Sequence, residues 1–560
     1  MPTRSLGFFL LACLLQCRLS YEARILLTTG TNFGSHFSVF STVGHALVDR
    51  GHTVTAFISD AYAEKANDPR LEHLQIEAFH DSNGEATRKY SDAFTKHLMD
   101  KKSSGFTRFF KWMPPNLYSS IESCKDMINH FEKKEHHYDL VLLDGHSSCS
   151  VFLASRLAIP YVLLIPSGIK PSLARRHGIP DTTSYYPEMS TGLSYRMTFS
   201  QRVSNTVSGL VADIAIFFEY DALSFLLSMR YNITKSVRNL VSNAQLILIN
   251  SDFSVDYPFP LYPNVVTVGG LTTRPKQPLS ETWEELMASS GQHGVVLFTL
   301  GTYAGSAATL PLCEMEKLSR AFSVVPQRVV WQMKGEPPPS LQVGENTRIV
   351  PWMPQNDLLG DPRLKALVFH GGNNGMYEAL YHGVPMVVLP LIFDHPDVAV
   401  RIVDRGMGIA VNFFSFTSEE LTKAINDVIN NSSYKENVLR WSSIFKANPQ
   451  LPMERAVFWI EHVLKYGGDY LRTSRTELYF WQVWSLDVYA FLLLIVYLCY
   501  RVLKFMYIRQ YHRILSSGCC LIVGYPLRKL CPGLRFRLNM SGNVGMRFWG
   551  TRGPRNNGKV

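Results

Sequence analysis

The chain is punctuated by short, almost unbroken apolar runs: RILLTTG (Arg24–Gly30), TVTAFIS, DLVLLD (Asp139–Asp144), PYVLLIP and AQLILIN, then GVVLFTLG (Gly294–Gly301), RVVWQMK, ALVFHGG, MVVLPLI and GIAV. Runs this short read as strands, and with so few polar residues in them both faces of each strand must be covered. Helical stretches such as SVFSTVGHALVDRGH and SCSVFLASRLAI lie between them and supply the cover, so the expected fold is α/β, with parallel sheets wrapped by helices. At 560 residues the chain is too long for one core, since single cores rarely grow past about 250 to 300 residues. The runs divide accordingly into two α/β domains, 21–263 and 287–445, joined by a linker at 264–286 that contains the polar TTRPKQPLSE. Two such domains leave a cleft between them.

The ends carry different signals. Arg4 followed by an apolar run from Leu6 to Leu15 and then Cys17, Leu19 and Ser20 reads as a secretory signal peptide over residues 1–20. Residues 446–477 read as a returning helix and juxtamembrane segment, and 478–500 (LYFWQVWSLDVYAFLLLIVYLCY) as a single transmembrane helix with Arg501 and Lys504 just beyond it. A buried soluble helix is the other reading of 478–500, because Asp487 would cost about 2.5 to 3.5 kcal/mol in mid-bilayer. Residues 501–560 hold 12 Lys and Arg and no acidic residue; removing them from the totals of 56 and 46 leaves 44 basic against 46 acidic residues, a net of −2. The overall charge of +10 therefore marks a basic cytosolic tail at a membrane, not a nucleic-acid partner. Cys124, Cys149 and Cys313 are too few for a disulfide framework, and no zinc spacing occurs. Sequons at Asn232, Asn430 and Asn431 suit a lumenal body.

The chemistry concentrates in Trp352–Asp397, WMPQNDLLGDPRLKALVFHGGNNGMYEALYHGVPMVVLPLIFDHPD. His370, Gly371 and Gly372 end a buried strand, and Asn373, Asn374 and Gly375 begin a helix, whose free amides and partial positive charge favour a phosphate. Glu378, one turn on, is placed to accept two ribose hydroxyls. This run resembles the signature of the eukaryotic UDP-glycosyltransferases, the family that includes UDP-glucuronosyltransferases and ceramide galactosyltransferase. The resemblance extends over nearly the full chain and implies two facing Rossmann-like domains in the GT-B arrangement. It also implies roles: Trp352 stacking on uracil, Gln355 at the nucleoside, Thr302, His370, Gly372, Asn373 and Asn374 at the diphosphate, Glu378 at the ribose, and Asp394 with His395 at the sugar hydroxyls. Asn373 stands where many members have Thr, and its amide is expected to donate in the hydroxyl's place. His395 stands where most have Gln, as in ceramide galactosyltransferase, which leans the donor toward UDP-galactose and leaves glucose and glucuronate open.

In the first domain His36 follows the first strand across GTNFGS, and Asp144 ends DLVLLD; both lie where α/β sheets form their sites. A lone His in such a loop is commonly structural, and a strand-terminal Asp is commonly a helix cap, a task that Ser147 could also perform. The resemblance implies that His36 takes the proton of an acceptor hydroxyl while Asp144 orients its imidazole. Transfer is then a single in-line displacement that inverts the anomeric carbon, with the UDP-sugar as co-substrate, no cofactor and no metal; no Asp-x-Asp triplet occurs. Phe33 and Phe37 flank His36 as acceptor-pocket candidates. The apolar stretch Val207–Tyr231 is either ordinary core or a membrane contact, and the latter would make a lipophilic, ceramide-like hydroxyl the acceptor. The expected location is a secretory-pathway membrane, the endoplasmic reticulum by resemblance. The tail departs from the family's short dilysine endings, and Cys519 and Cys520 are palmitoylation candidates. The sequence leaves room for a homo-oligomer. A catalytically inactive binding or dimerising relative is the competing reading, against which stand the intact His36, Asp144, Glu378 and Asp394.

Overall fold

The structure, a computed structural model, describes residues 22–30, 34–65, 68–86, 89, 93, 96, 121–132, 136–168, 170–180, 182–231 and 237–516. The signal segment, Phe33, Asn232, Cys519, Cys520 and the rest of the tail past 516 lie outside these residues, and Thr302 is placed by its backbone alone.

The first sheet contains β1 (Arg24–Thr28), β2 (Thr53–Ser59), β3 (Gln75–Phe79), β4 (Leu140–Asp144), β5 (Tyr161–Ile165), β6 (Leu246–Ile249) and β7 (Val265–Thr267) in the order 3-2-1-4-5-6-7. The second contains β8 (Val295–Thr299), β9 (Arg328–Gln332), β10 (Thr347–Val350), β11 (Leu364–Phe369), β12 (Met386–Val388) and β13 (Gly408–Ala410) in the order 10-9-8-11-12-13. Every pairing is parallel. The unbroken apolar runs are explained by burial on both faces. Within β1, Ile25 and Leu27 enter one core with Leu140, Leu142 and Leu164, while Leu26 enters another with Val141, Leu143 and Leu163. The same alternation divides Val295 and Leu297 from Val296 and Phe298 in β8.

The strand order reverses between β1 and β4 in one sheet and between β8 and β11 in the other. A crevice opens beyond the strand ends at such a reversal, because the two connections leave in opposite directions. His36 and Asp144 lie at the first reversal, and Thr302 and His370 at the second.

Several boundaries move from the sequence expectation. The 264–286 stretch gives its first residues to the first sheet as β7, with Ile247 N–H donating to Asn264 O at 2.8 Å. No helix separates β6 from β7, so the helix-strand rhythm gives no signal of this last strand. The returning helix Pro452–Tyr466 packs Ala456, Val457, Ile460 and Val463 into the first domain's core. The C-terminal apolar segment is a separate unit from Glu477 onward. Its helix runs over Leu486–Ser516, later and longer than 478–500, and its window Leu486–Ile514 is long and apolar enough to cross a membrane. Ser485, at φ 52°, breaks it from the short helix Phe480–Val483. Asp487 thus sits in the first helical turn, where a carboxylate is favoured, not mid-span.

Cys124 and Cys149 form a disulfide across 25 residues, joining helix 121–132 to the helix Ser148–Leu157. A pair among three cysteines is no framework by count; the packing of two helices brings it together. Closing a loop of this size is worth about 3 kcal/mol, and Cys124→Ser is expected to lower the thermal midpoint by several degrees while the Cys313→Ser variant, at an exposed free thiol, leaves it unchanged, as read by nanoscale scanning fluorimetry.

Candidate active site

His36 is the second residue of the helix Ser35–Asp49, which begins after the β1 turn. Its Nδ1 lies 2.6 Å from Asp144 Oδ2. The other oxygen of Asp144 accepts the His146 N–H at 2.9 Å, and Ser147 rather than Asp144 caps the following helix. Asp144 is therefore committed to the imidazole. Burial alone would lower the pKa of His36, but the Asp144 carboxylate, its hydrogen bond and the more distant charge of Asp394 more than offset it, and the net shift is upward. For Asp144, burial pushes up while His36 and the His146 amide pull down, and the net is below the usual carboxylate range. The His36 side chain is 25 % exposed against 2 % for Asp144, so a ligand can reach the ring but not the carboxylate. An imidazole oriented through Nδ1 can take up a proton at Nε2.

One residue on, Phe37 is fully buried in the first domain's core with Leu27, Val39 and Phe40. It does not line an acceptor pocket: a step of about 100° around the helix turns it to the sheet when His36 faces the cleft.

In the second domain His370 follows β11 and packs between two glycines. A Cβ on Gly301, which holds φ +74°, or on Gly372 would lie 2.5 Å from its Nε2. Burial and the neighbouring His395 hold His370 well below its ordinary pKa, so the ring is neutral. The His395 ring stands edge-on to it at 4.7 Å between centroids and is lowered by burial to about 4. Its Nδ1 accepts the Ile392 N–H at 3.2 Å, which leaves the proton on Nε2 as a donor. Asp394 precedes it at the start of the helix His395–Asp404; burial raises its pKa, opposed by Lys170 and His36. Residues of both domains thus share one electrostatic field.

Glu378 accepts from Gln355 Nε2 at 2.7 Å and from Thr272 Oγ1 at 3.0 Å. Burial pushes its carboxyl up to about 7 against those two hydrogen bonds. Trp352 is 64 % exposed, leaving an indole face open for stacking. Asn374 Oδ1 accepts from Asn250 at 3.2 Å. Asn373 departs from its expected place at a diphosphate: its side chain is buried and donates to Asn250 O at 3.0 Å and Pro166 O at 3.4 Å, both in the first domain. The first residue of a helix that abuts another domain has backbone carbonyls in reach, and the amide goes to them; its N–H remains at the helix start. Asn430 ends the helix Ser418–Asn430 and Asn431 caps the next through Ser433 N–H at 3.1 Å, both exposed.

Sequence reasoning missed the residues that hold the two domains together. Lys170 lies 3.5 Å from Asp397, whose carboxylate also accepts the Ser190 and Gly192 N–H groups at 2.9 and 3.1 Å. Arg401 pairs with Asp256, and Tyr377 Oη donates to Asp256 at 3.2 Å while accepting the Asp252 N–H at 2.7 Å. These positions belong to no local motif, and only Tyr377 and Asp397 lay within the stretch singled out.

A profile of the family described as "UDP-glucoronosyl and UDP-glucosyl transferase" matches residues 24–520. The chain is 34 % identical over 486 residues to UDP-glucuronosyltransferase 2B14 of Oryctolagus cuniculus, covering 84 % of this chain and 90 % of that one. It is 37 % identical over 384 residues to UDP-glucuronosyltransferase 1A5 of Rattus norvegicus, 67 % of this chain and 71 % of that one. Among solved structures, the kitacinnamycin glycotransferase superposes with a TM-score of 0.54 at 18 % identity, over 79 % of this chain and 99 % of that one. The calicheamicin glycosyltransferase CalG4 gives 0.52 at 15 % identity, over 79 % and 98 %. The fold is that of GT-B glycosyltransferases.

Proposed function

The chain belongs to the UDP-glycosyltransferase family and is a UDP-dependent glycosyltransferase, and from that premise we propose that it transfers a neutral hexose, galactose before glucose, to a hydroxyl of a ceramide-like lipophilic acceptor with inversion. The acceptor oxygen attacks the anomeric carbon, the bond from that carbon to the UDP oxygen breaks with its electron pair leaving on UDP, and the acceptor proton passes to His36 Nε2. The single observation that carries the reading is the His36 Nδ1 to Asp144 Oδ2 hydrogen bond of 2.6 Å at the strand-order reversal, in the field of Asp394 from the opposite domain.

A neutral sugar is favoured by the charges at the donor end. A hexuronate carboxylate would meet Asp394, while His370 and His395 are uncharged and Lys170 is already paired with Asp397. His395, a fixed Nε2–H donor, supports galactose over glucose. Glucuronate transfer to small lipophilic compounds is the second reading, favoured by the names of the relatives. The Cys124–Cys149 disulfide supports an oxidising, lumenal setting for the body, with the exposed Asn430 and Asn431 open to glycosylation.

The test is UDP release by the detergent-solubilised full chain with UDP-galactose, UDP-glucose and UDP-glucuronate, each with and without ceramide. Ceramide-dependent release with UDP-galactose is expected, and His395→Gln should move the galactose-to-glucose ratio of kcat/KM toward glucose by about tenfold, the worth of one hydrogen bond. Preference for UDP-glucuronate would overturn the neutral-sugar reading, and UDP binding without release under any donor would point to an acceptor other than ceramide or to an inactive relative.

A further inference from the structure

The segment between the domains changes allegiance at Leu271. Before it, Val268 N–H donates to Ile249 O at 2.7 Å, Gly269 N–H to Ser251 O at 2.9 Å and Gly270 N–H to Asn250 Oδ1 at 2.8 Å, all in the first domain. Leu271 itself enters the first domain's core. Gly270 holds φ +91°, and a Cβ there would lie 2.7 Å from Phe445 Cζ, so the turn that Thr273 N–H closes on Gly270 O at 2.9 Å needs glycine. Thr272 lies in this turn, and its Oγ1 donates across to Glu378 Oε1 of the second domain at 3.0 Å. Gln355 Nε2 donates to the other oxygen, Oε2, at 2.7 Å. A carboxylate offers about four lone-pair sites, two on each oxygen. One on each is thereby taken and one on each is left, which matches the two vicinal hydroxyls that a ribose presents.

The Thr272 bond is not needed to fasten the segment. Arg274 grips Asp357 with two donors at 2.6 and 2.7 Å, and Gln277 N–H adds a further bond to that carboxylate at 2.9 Å. Asn356 Nδ2 donates to Arg274 O at 3.0 Å, and Lys276 pairs with Asp361 at 2.7 Å. We propose that Thr272 is a positioning residue of the nucleotide site, whose hydroxyl sets the orientation and the charged state of Glu378 for the ribose of UDP. Burial pushes the Glu378 carboxyl up to about 7 against the Gln355 and Thr272 hydrogen bonds, so it is only partly ionised near neutral pH and each donor counts. The charged groups that act on it, Arg274 from the segment and Asp357 from the helix Gln355–Leu359, pull in opposite directions. A protonated carboxyl gives up acceptor capacity and becomes a donor itself, so the ribose contacts depend on this ionisation. The inference rests on the ribose role of Glu378 and on the use of a UDP-sugar, and not on which sugar or acceptor takes part.

UDP and its dideoxy analogue, which lacks both ribose hydroxyls, are titrated into the detergent-solubilised full chain by isothermal titration calorimetry across the neutral pH range. The ratio of the two dissociation constants reports the ribose hydroxyls alone, because the titration of the phosphates cancels. Thr272→Val keeps the shape and removes the donor; it is expected to weaken UDP by about tenfold with little change for the dideoxy analogue. The midpoint of the ratio against pH should also move to higher pH, since a bond to the charged form is lost. Thr272→Ser, which keeps the hydroxyl, should restore most of the ratio and the midpoint. Equal weakening of both nucleotides by Thr272→Val makes the residue a structural tie and overturns the proposal, as does a serine variant no better than the valine one. Where the thermal midpoint shows that Thr272→Val does not fold, Thr272→Ala is read in the same way, and loss of the fold in both also overturns it. Glu378→Gln tests the premise separately. A ratio unchanged by Glu378→Gln removes Glu378 from the ribose and takes the proposal with it, whereas a ratio lowered by Glu378→Gln and untouched by Thr272→Val overturns the positioning role alone.

Discussion

Replacing His36 with Ala is expected to lower kcat by about 10^2 to 10^4, the usual contribution of a general base, with the KM for UDP-sugar nearly unchanged because the donor groups lie on the other domain. Asp144→Asn should cost a similar factor, since an amide no longer fixes the tautomer or stabilises the imidazolium. The pH profile separates the two roles. Only the neutral imidazole accepts a proton, and the net shift of His36 is upward, so kcat/KM should rise through a midpoint above 6.5 and level off at higher pH. Asn at 144 removes the largest upward influence and leaves the burial that lowers the pKa, so the midpoint should move to lower pH while the plateau falls. The stability linkage has the opposite sign: a histidine raised on folding stabilises the fold fully below its unfolded value near 6.5, and that contribution is lost as pH climbs past the folded value. Loss of activity on acidification would then report protonation of His36 and not loosening of this pair. An unshifted midpoint in Asp144→Asn would deny Asp144 the part assigned to it.

The parallel sheets and the strand-end positions of His36, Asp144 and His370 are legible in the sequence because each rests on a local signal: an unbroken apolar run, a glycine turn, a helix start. Thr272 holds Glu378 from the segment between the domains, and nothing in TTRPKQP marks it as a partner of a residue so far along the chain. Phe37 shows the converse failure. Adjacency in sequence to a functional residue says nothing about the pocket once both sit on a helix, where neighbours diverge by about 100°. Asn373 reads as an anion ligand from its place at a helix start, yet its side chain is claimed by the backbone of the other domain. Local pattern locates a site at a strand end, whereas which atoms face the ligand is set by how the second domain closes on the first.

That closure rests on crossed buried charges. The first domain supplies Lys170 to Asp397 of the second, and the second supplies Arg401 to Asp256 of the first. Arg401 and Asp256 are 1 % and 0 % exposed, and burial holds the Arg401 pKa down to about 10. Replacing such a pair by apolar groups is often neutral, but removing one partner strands a charge where water cannot reach it, at a cost of about 3 to 5 kcal/mol. Asp256→Ala should therefore lower the thermal midpoint by about 3 to 5 °C for a body of this size, and Asp256→Asn by nearly as much, because the amide keeps the shape but not the charge. Arg401→Met on the Asp256→Ala background should recover a large part of the loss, since the stranded cation is gone and its stem volume is kept. Failure of that rescue would mean that the Tyr377 and Ser251 hydroxyls, which also donate to Asp256, carry the stability instead. The kinetics should follow the same order: the domains that carry His36 and Asp394 are held in register through these pairs, so the rescued double variant should regain kcat along with its midpoint.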